Sequence, residues 1–218
     1  GFWMALAMYL TGAAYVVLAV DYIGNIIALS PAVAFMIKAA FIIIFTIVNL
    51  RGLEEVSTIS TIFCVIILVA FTAVAVVGLA HWTNNPFDPV MVQGENAFSS
   101  WGTGIAIGVW MYCGYVVIAY IGGEVENPQI IPKGMKICIV LITLSYLLPT
   151  LGGIVSTGPW EEWGINIDYA TVLSRNLAPW AGVAFMICAV IAQCSIFNAS
   201  ITSATRSFIP MAQDNLCP

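Results

Sequence analysis

A glycine-rich apolar segment at 102–123 carries aromatic side chains suited to binding a small molecule inside a membrane. It reads GTGIAIGVWMYCGYVVIAYIGG, with Trp110 and Tyr112 before the central Gly114 and Tyr115 after it. Each glycine weakens a helix by about 1 kcal/mol relative to alanine. A helix broken at mid-membrane leaves backbone groups that the bilayer tolerates only where they line a cavity. Because transporters bind substrates at such breaks, we predict that this segment supplies backbone and aromatic groups to a substrate site.

The same residues are open to a purely structural interpretation. Small residues let transmembrane helices pack closely. Large aromatic side chains fill the space between helices. The sequence alone is compatible with both interpretations.

Two other apolar segments carry groups that can face the same cavity. In the first segment, Met8, Gly12 and Tyr15 share one helical face because they are spaced three and four residues apart. The last segment is polar for its depth, since it holds Gln193, Ser195, Asn198, Ser200, Thr202, Ser203 and Thr205. We predict that one of its faces lines a polar cavity, with Asn198 and Ser200 as binding residues. The alternative is that these amides and hydroxyls bond neighbouring helices.

Other kinds of chemistry lack the residues that they need. The chain has 1 histidine and 6 cysteines, without a CxxC pair, a His-Glu metal motif or a GxSxG motif. We therefore expect no enzymatic activity, no cofactor and no metal site. Buried charges mark ion or proton paths in membranes. Lys38 is the ionisable residue nearest the interior of a predicted span, so the sequence does not show such a path.

The composition is that of a membrane protein. Only 8% of the 218 residues are charged, 61% are hydrophobic, and the mean hydropathy is +1.00. A soluble domain has about 25% charged residues. The net charge of −5 also excludes a nucleic-acid-binding protein, because such proteins need a basic surface.

Charged residues divide the chain into apolar segments near the length of about 20 residues that crosses a bilayer. The predicted spans, all in one transmembrane domain, are 2–28, 31–50, 57–80, 102–123, 135–156 and 181–205. Ser30 followed by Pro31 predicts the start of the second helix, because a serine cap and an N-terminal proline favour that position. From the apolar segments at both ends, we expect an incomplete domain from a longer, transporter-sized protein.

The basic residues predict an orientation. If the spans alternate in direction, one side of the membrane receives Arg51, Lys133, Lys136 and Arg206. The other side receives Arg175, apart from Lys38 within its span. The positive-inside rule then places the start of the chain in the cytoplasm. Loops 81–101 and 157–180 are predicted to face outward.

Four stretches carry a family resemblance. They are GGEVENPQIIPKG at 122–134, VNLRGL at 48–53, TSATRSFIPMAQDNLCP at 202–218 and YVVLAVDYI at 15–23. The first resembles the signature of the amino acid–polyamine–organocation superfamily, and the last is similar to the third helix of its polyamine–proton symporters. The resemblance implies helices three to eight of an all-α, polytopic, leucine-transporter-like bundle with an inverted repeat.

The resemblance also implies roles for residues of the fourth span. Trp110 matches the gating tryptophan of the family's sixth helix. Tyr112, Cys113 and Gly114 match the unwound segment of that helix in the family. The backbone of this segment contacts the amino or carboxylate group of the substrate. The substrate is therefore expected to lie against the segment from Trp110 to Tyr115.

Further contacts are implied on the other helices. Met8, Gly12 and Tyr15 fall where third-helix residues contact the substrate side chain. Ser200 falls at a pocket position of the eighth helix. Glu124 lies in the cytoplasmic turn and is interpreted as a structural or inner-gate residue.

The substrate and the coupling ion are less closely determined. Val116 stands where cation-handling relatives place an acidic residue, which favours a neutral amino acid over arginine or a polyamine. The resemblance implies H+ coupling or exchange, with Thr202 and Ser203 as candidates for a sodium site. We predict a secondary active amino acid transporter in the plasma or inner membrane, working on a small-molecule substrate by alternating access. A polyamine–proton symporter, a channel-like subunit and a non-transporting sensor remain as alternatives.

Overall fold

The protein is an all-α, multi-pass integral membrane protein, as predicted. The computed structural model describes residues 2–88, 96–112, 114, 125 and 127–215. Its helices are α1 (Phe2–Ile26), α2 (Pro31–Arg51), α3 (Leu53–Ala80), α4 (Ala97–Tyr112), α5 (Ile130–Ser156), α6 (Tyr169–Asn176) and α7 (Pro179–Gln213). Within these residues, α1, α2, α3, α5 and α7 are long and apolar enough to cross a membrane.

The predicted start of α2 is confirmed. Ser30 is the N-cap, and its side-chain oxygen accepts a hydrogen bond from the backbone N–H of Val33 at 3.4 Å. Pro31 occupies the first helical position. Proline has no backbone N–H, and at this position an N–H would have no acceptor within the helix. These residues act locally, and the sequence therefore predicts this boundary well.

Several helices extend beyond the predicted apolar segments. Helices α4 and α5 each begin five residues before the predicted starts at 102 and 135. At α4 the side chain of Asn96 accepts a hydrogen bond from the Phe98 N–H at 3.0 Å, which favours an early start. The first turns of α5 contain Lys133 and Lys136, whose long side chains can reach the interface. Of the predicted fourth span, Cys113 and residues 115–123 lie outside the described residues.

Helix α6 lies within a segment predicted to be a loop. Its N-cap, Asp168, accepts a hydrogen bond from the backbone N–H of Thr171 at 2.7 Å. The Thr171 side chain accepts one in return from the backbone N–H of Asp168 at 3.4 Å. This reciprocal capping box starts a helix, and the helix is anchored by the buried residues Ala170, Val172 and Leu173.

The chain divides into two compact units. The first unit comprises Gly1–Ala70 and Val183–Pro218, and the second comprises Phe71–Gly182. The first unit has an aromatic core in which the ring centroids of Phe45 and Phe197 are 5.9 Å apart, at an interplanar angle of 84°. This edge-to-face geometry is favourable between aromatic rings.

The second unit depends on close backbone approach. A Cβ atom on Gly78 of α3 would collide with the backbone of Gly152 of α5. The next residue, Gly153, lies against the indole of Trp163, where a Cβ would also collide. Trp163 in turn makes an edge contact with Tyr169, the first residue of α6, at 5.7 Å between ring centroids. Glycine at these positions therefore lets α5 contact both α3 and the segment before α6.

Candidate functional site

In the first unit, α1 and α7 meet at two residues that the sequence predicted as substrate contacts. A Cβ atom placed on the buried Gly12 would lie 3.4 Å from the Cβ of Ser200 and 3.5 Å from Cδ2 of Phe197. Tyr15, one turn along α1, packs against the aromatic core that contains Phe197. Met8 is half-buried one turn earlier on α1. The structure therefore brings Gly12 and Ser200 together, with room for about a methyl group between the helices.

A second face of α7 carries a buried polar network. Asn49 of α2 donates through Nδ2 to Oδ1 of Asn198 at 2.9 Å and accepts at Oδ1 from the Thr202 hydroxyl at 2.7 Å. Asn198 donates through its own Nδ2 to Oγ of Ser60 on α3 at 3.3 Å. Asn198 is 0% exposed. The network thus joins α2, α3 and α7 by side-chain hydrogen bonds.

This arrangement separates Asn198 from Ser200. The Asn198 side chain bonds α2 and α3, whereas Ser200 lies against α1. For Asn198 the structure favours the alternative in which amides bond neighbouring helices, and its contact with a substrate stays a prediction. Asn49 and Ser60 were not predicted as partners of Asn198. The signal at Asn49 was an amide within an otherwise apolar run.

Both sodium candidates face carbonyl groups of their own helix. The Ser203 hydroxyl donates to the carbonyl of Ala199 at 2.7 Å, and the single Thr202 hydroxyl hydrogen is shared between Asn49 Oδ1 and the carbonyl oxygen of Asn198, which lies 2.8 Å away. Their role in ion binding stays a prediction. Across the part of the chain that the structure describes, no three His, Cys, Asp or Glu residues are grouped closely enough to hold a metal ion.

Gln193 is a polar group of α7 that the sequence analysis did not place in the site. Its Oε1 atom is buried and has no hydrogen-bond partner among the described residues. Phe197 and Ser200 follow it by four and seven residues, so the three side chains lie on one helical face. A buried acceptor without a partner costs about 1–3 kcal/mol. A substrate N–H group that bonded this oxygen would offset that cost.

In the second unit, two side chains of α5 hold the end of α4. The hydroxyls of Tyr112 and Thr143 lie 2.8 Å apart. Tyr146 donates its hydroxyl hydrogen to the carbonyl oxygen of Met111 at 3.2 Å. The rings of Tyr112 and Tyr146 also meet edge to face, with centroids 5.9 Å apart. Tyr112, which the sequence predicted as a binding residue, is thus fixed by contacts with α5.

The other predicted residues near this end of α4 differ in how they are placed. Trp110 is 65% exposed, and Gly114 is also exposed. Cys113 and Tyr115 lie outside the described residues, as do Val116 and Glu124. The predicted site residues therefore form two groups: Gly12, Tyr15 and Ser200 in the first unit, and Trp110 and Tyr112 in the second.

Comparison with known proteins identifies the family. The sequence model of the amino acid permease family matches residues 1–218. The chain belongs to this family. The resemblance inferred from the stretches at 48–53 and 122–134 is therefore confirmed, and this permease chain can be compared with characterised relatives.

The relatives of this permease chain have different named substrates. "Cationic amino acid transporter 3, mitochondrial" of Arabidopsis thaliana is 30% identical over 117 residues, which cover 53% of this chain and 19% of that protein. "Polyamine transporter PUT1" of Oryza sativa subsp. japonica is 24% identical over 227 residues, 99% of this chain and 41% of the relative. "Branched-chain amino acid permease BcaP" of Bacillus subtilis (strain 168) is 26% identical over 188 residues, 82% and 38% respectively. The chain spans less than half the length of these relatives, and no solved structure matches it significantly.

Proposed function

We propose that this chain forms part of a secondary active transporter that moves amino acids across a membrane by alternating access. The observation that carries the proposal is the match of the whole chain, residues 1–218, to the amino acid permease family. The five candidate membrane spans among the described residues agree with it. Transporters of this general kind bind their substrates within the bilayer, on backbone and polar groups of interrupted helices.

Both groups of site residues are proposed substrate contacts. On α4, Trp110 offers a largely exposed aromatic face, and Tyr112 is held in place by α5. On α7, Gln193, whose Oε1 has no hydrogen-bond partner among the described residues, shares a helical face with Ser200, which lies against Gly12. Tyr112, Cys113 and Gly114 keep their proposed role at the substrate's amino or carboxylate group, and Tyr115 remains a further proposed contact.

The absence of charged side chains from the two groups of proposed contacts favours a neutral amino acid as substrate. Neither group contains a charged side chain, and a cation buried in the membrane needs a carboxylate partner. Val116 stands at the position where an acidic residue is expected in cation-handling relatives, and it therefore also favours a neutral substrate. Similarity to a branched-chain amino acid permease over 82% of the chain supports this assignment.

A polyamine is the second candidate substrate. The observation that favours it is the similarity to a polyamine transporter over 99% of this chain. A polyamine carries several positive charges, and a carboxylate partner would then have to come from outside the two groups of residues described above. The two candidates therefore differ in the charge that the binding site must accommodate.

For coupling we propose a proton, or exchange of one substrate for another, in the plasma or inner membrane. A charged residue in the membrane is the usual sign of a proton path, and neither group of proposed substrate contacts contains Asp, Glu, Lys, Arg or His. Exchange needs no such residue.

Uptake into proteoliposomes tests this proposal. The full-length protein is reconstituted and supplied with radiolabelled L-leucine, L-arginine or spermidine under a pH gradient, a sodium gradient or no gradient. We expect saturable L-leucine uptake. Acceleration by the pH gradient would indicate proton coupling, and stimulation by internal L-leucine without a gradient would indicate exchange. Saturable uptake of spermidine alone would replace the amino acid with a polyamine. Absence of saturable uptake under every condition would contradict transport, and unsaturable conductance would indicate a channel.

A further inference from the structure

Two hydrogen bonds join α4 to α5 near Tyr112. Helix α4 provides the donor in one of them, and α5 provides the donor in the other. Thr143 has one hydroxyl hydrogen, and its Oγ1 lies 2.8 Å from the carbonyl oxygen of Ile139 on its own helix. When that hydrogen is used there, the Tyr112 hydroxyl must be the donor in its 2.8 Å bond with Thr143. The α4 side chain therefore donates to α5 at this point.

The second bond runs from α5 to the backbone of α4. Tyr146 donates to the carbonyl oxygen of Met111 at 3.2 Å. Met111 and Tyr112 are the last residues of α4 within the described part of the chain. The Tyr146 hydroxyl therefore ties the backbone of α4 to the neighbouring helix.

The two bonds act at adjacent residues of one helix end. Thr143 and Tyr146 are three residues apart on α5 and therefore lie on the same face. The rings of Tyr112 and Tyr146 also meet edge to face, at 5.9 Å between ring centroids. Together these contacts limit both sliding and rotation of the α4 end against α5.

We propose that Thr143 and Tyr146 form a two-point clamp that positions the Trp110–Tyr112 end of α4 for substrate binding. Both are positioning residues, because they act through α4. The transport consequence of the clamp rests on the proposed function, whereas its effect on the order of α4 does not. Residues that hold a binding element in its productive geometry lower the cost of binding.

Conservative substitutions separate the clamp from general packing. Tyr146→Phe keeps the ring contact and removes the hydroxyl, and Thr143→Val keeps the side-chain shape and removes the bond to Tyr112. Thr143→Ser restores a hydroxyl. The matched control is Thr46→Val on α2, because the exposed Thr46 donates to the Ile42 carbonyl at 2.7 Å and so loses the same kind of intrahelical bond.

Two measurements test the clamp in the full-length protein. In proteoliposomes loaded for L-leucine uptake, we expect Tyr146→Phe and Thr143→Val to raise KM by about three- to tenfold, with little change in the maximal rate. Thr143→Ser should return KM towards that of the wild type. In hydrogen–deuterium exchange, the α4 peptide that contains Trp110–Tyr112 should exchange faster in the first two variants and not in Thr46→Val, because its local opening is less costly.

The outcomes distinguish the clamp from the proposed function. If the wild type shows no saturable uptake of L-leucine, L-arginine or spermidine, the proposed function fails, and the exchange experiment still decides the clamp. Unchanged exchange of the α4 peptide in Tyr146→Phe and Thr143→Val would overturn the clamp. So would a loss of folded protein with KM unchanged, because that result shows a purely structural role.

Discussion

Replacing Asn49 with alanine is expected to destabilise the first unit, because this side chain joins α2 to α7. Its Nδ2 donates to Oδ1 of Asn198 and to the carbonyl of Phe45, both at 2.9 Å. Its Oδ1 accepts from the Thr202 hydroxyl at 2.7 Å. Alanine removes all three bonds, of which two connect different helices.

The magnitude follows from those two interhelical bonds. Side-chain hydrogen bonds between membrane helices contribute on average about 0.6 kcal/mol each, with a maximum of about 1.7 kcal/mol. Two of them correspond to about 1–3 kcal/mol. Asn198 is 0% exposed, so its oxygen loses its Asn49 donor at a buried position, which favours the upper part of this range. We expect Asn49→Ala to lower the free energy of unfolding by about 2 kcal/mol.

The assay is equilibrium unfolding of the purified full-length protein in mixed detergent micelles. Thr202→Val removes one of the two interhelical bonds and should lower the free energy of unfolding by about 1 kcal/mol. The matched control is Thr205→Val on the same helix. Thr205 is exposed, and its hydroxyl lies 2.8 Å from the carbonyl of Ile201, so the bond lost is intrahelical. This control is expected to change the free energy of unfolding by less than about 0.5 kcal/mol.

The double variant provides the decisive comparison. Because both substitutions remove the same bond, Asn49→Ala with Thr202→Val should be little less stable than Asn49→Ala alone. Strictly additive losses would show that the two side chains do not interact. Equal losses for Thr202→Val and Thr205→Val would likewise refute the network as a source of stability.

Three further predictions concern the site. Gly12→Ala should fold normally, because its Cβ would lie at ordinary contact distance from Ser200, whereas Gly12→Leu should lower the free energy of unfolding by about 1–3 kcal/mol; equal stability of the two variants in thermal unfolding would contradict the close helix approach. Gln193→Leu should raise the KM for L-leucine and stabilise the fold by about 1 kcal/mol, since it removes a buried oxygen that has no partner among the described residues; an unchanged KM would exclude a binding role. Trp110→Leu should reduce uptake of L-leucine at least about tenfold while the protein stays folded, because a substrate-facing aromatic surface is lost; unchanged kinetics would show that this side chain only packs.

Local chemistry explains which parts of the fold were predictable. The start of α2 at Ser30 and Pro31 depends on neighbouring residues and was predicted correctly. The capping box at Asp168 and Thr171 is equally local, but it lies in a polar segment where hydropathy indicated only a loop. The spacing of Gly12 and Tyr15 predicted that they share one helical face, and the structure packs this face against α7. That the same face lines a substrate cavity stays a prediction.

Contacts between distant segments explain what was missed. Asn49 and Asn198 are 149 residues apart in the chain, and neither residue's local sequence identifies its partner. Gln193 and Asn198 are both amides of one predicted polar span. Their roles differ because Asn198 has its donor and acceptor partners on α2 and α3, whereas the oxygen of Gln193 has no partner among the described residues. This difference depends on the direction that each side chain takes from α7, which composition does not encode.

Counterflow of L-leucine detects alternating access without assuming a coupling ion. Proteoliposomes that contain the full-length protein are loaded with unlabelled L-leucine and diluted into a trace of radiolabelled L-leucine. A carrier exchanges the two, so we predict a transient accumulation of label that Trp110→Leu reduces at least about tenfold. Label that never exceeds equilibrium, in liposomes shown to contain folded protein, would contradict the proposed transport of L-leucine by alternating access.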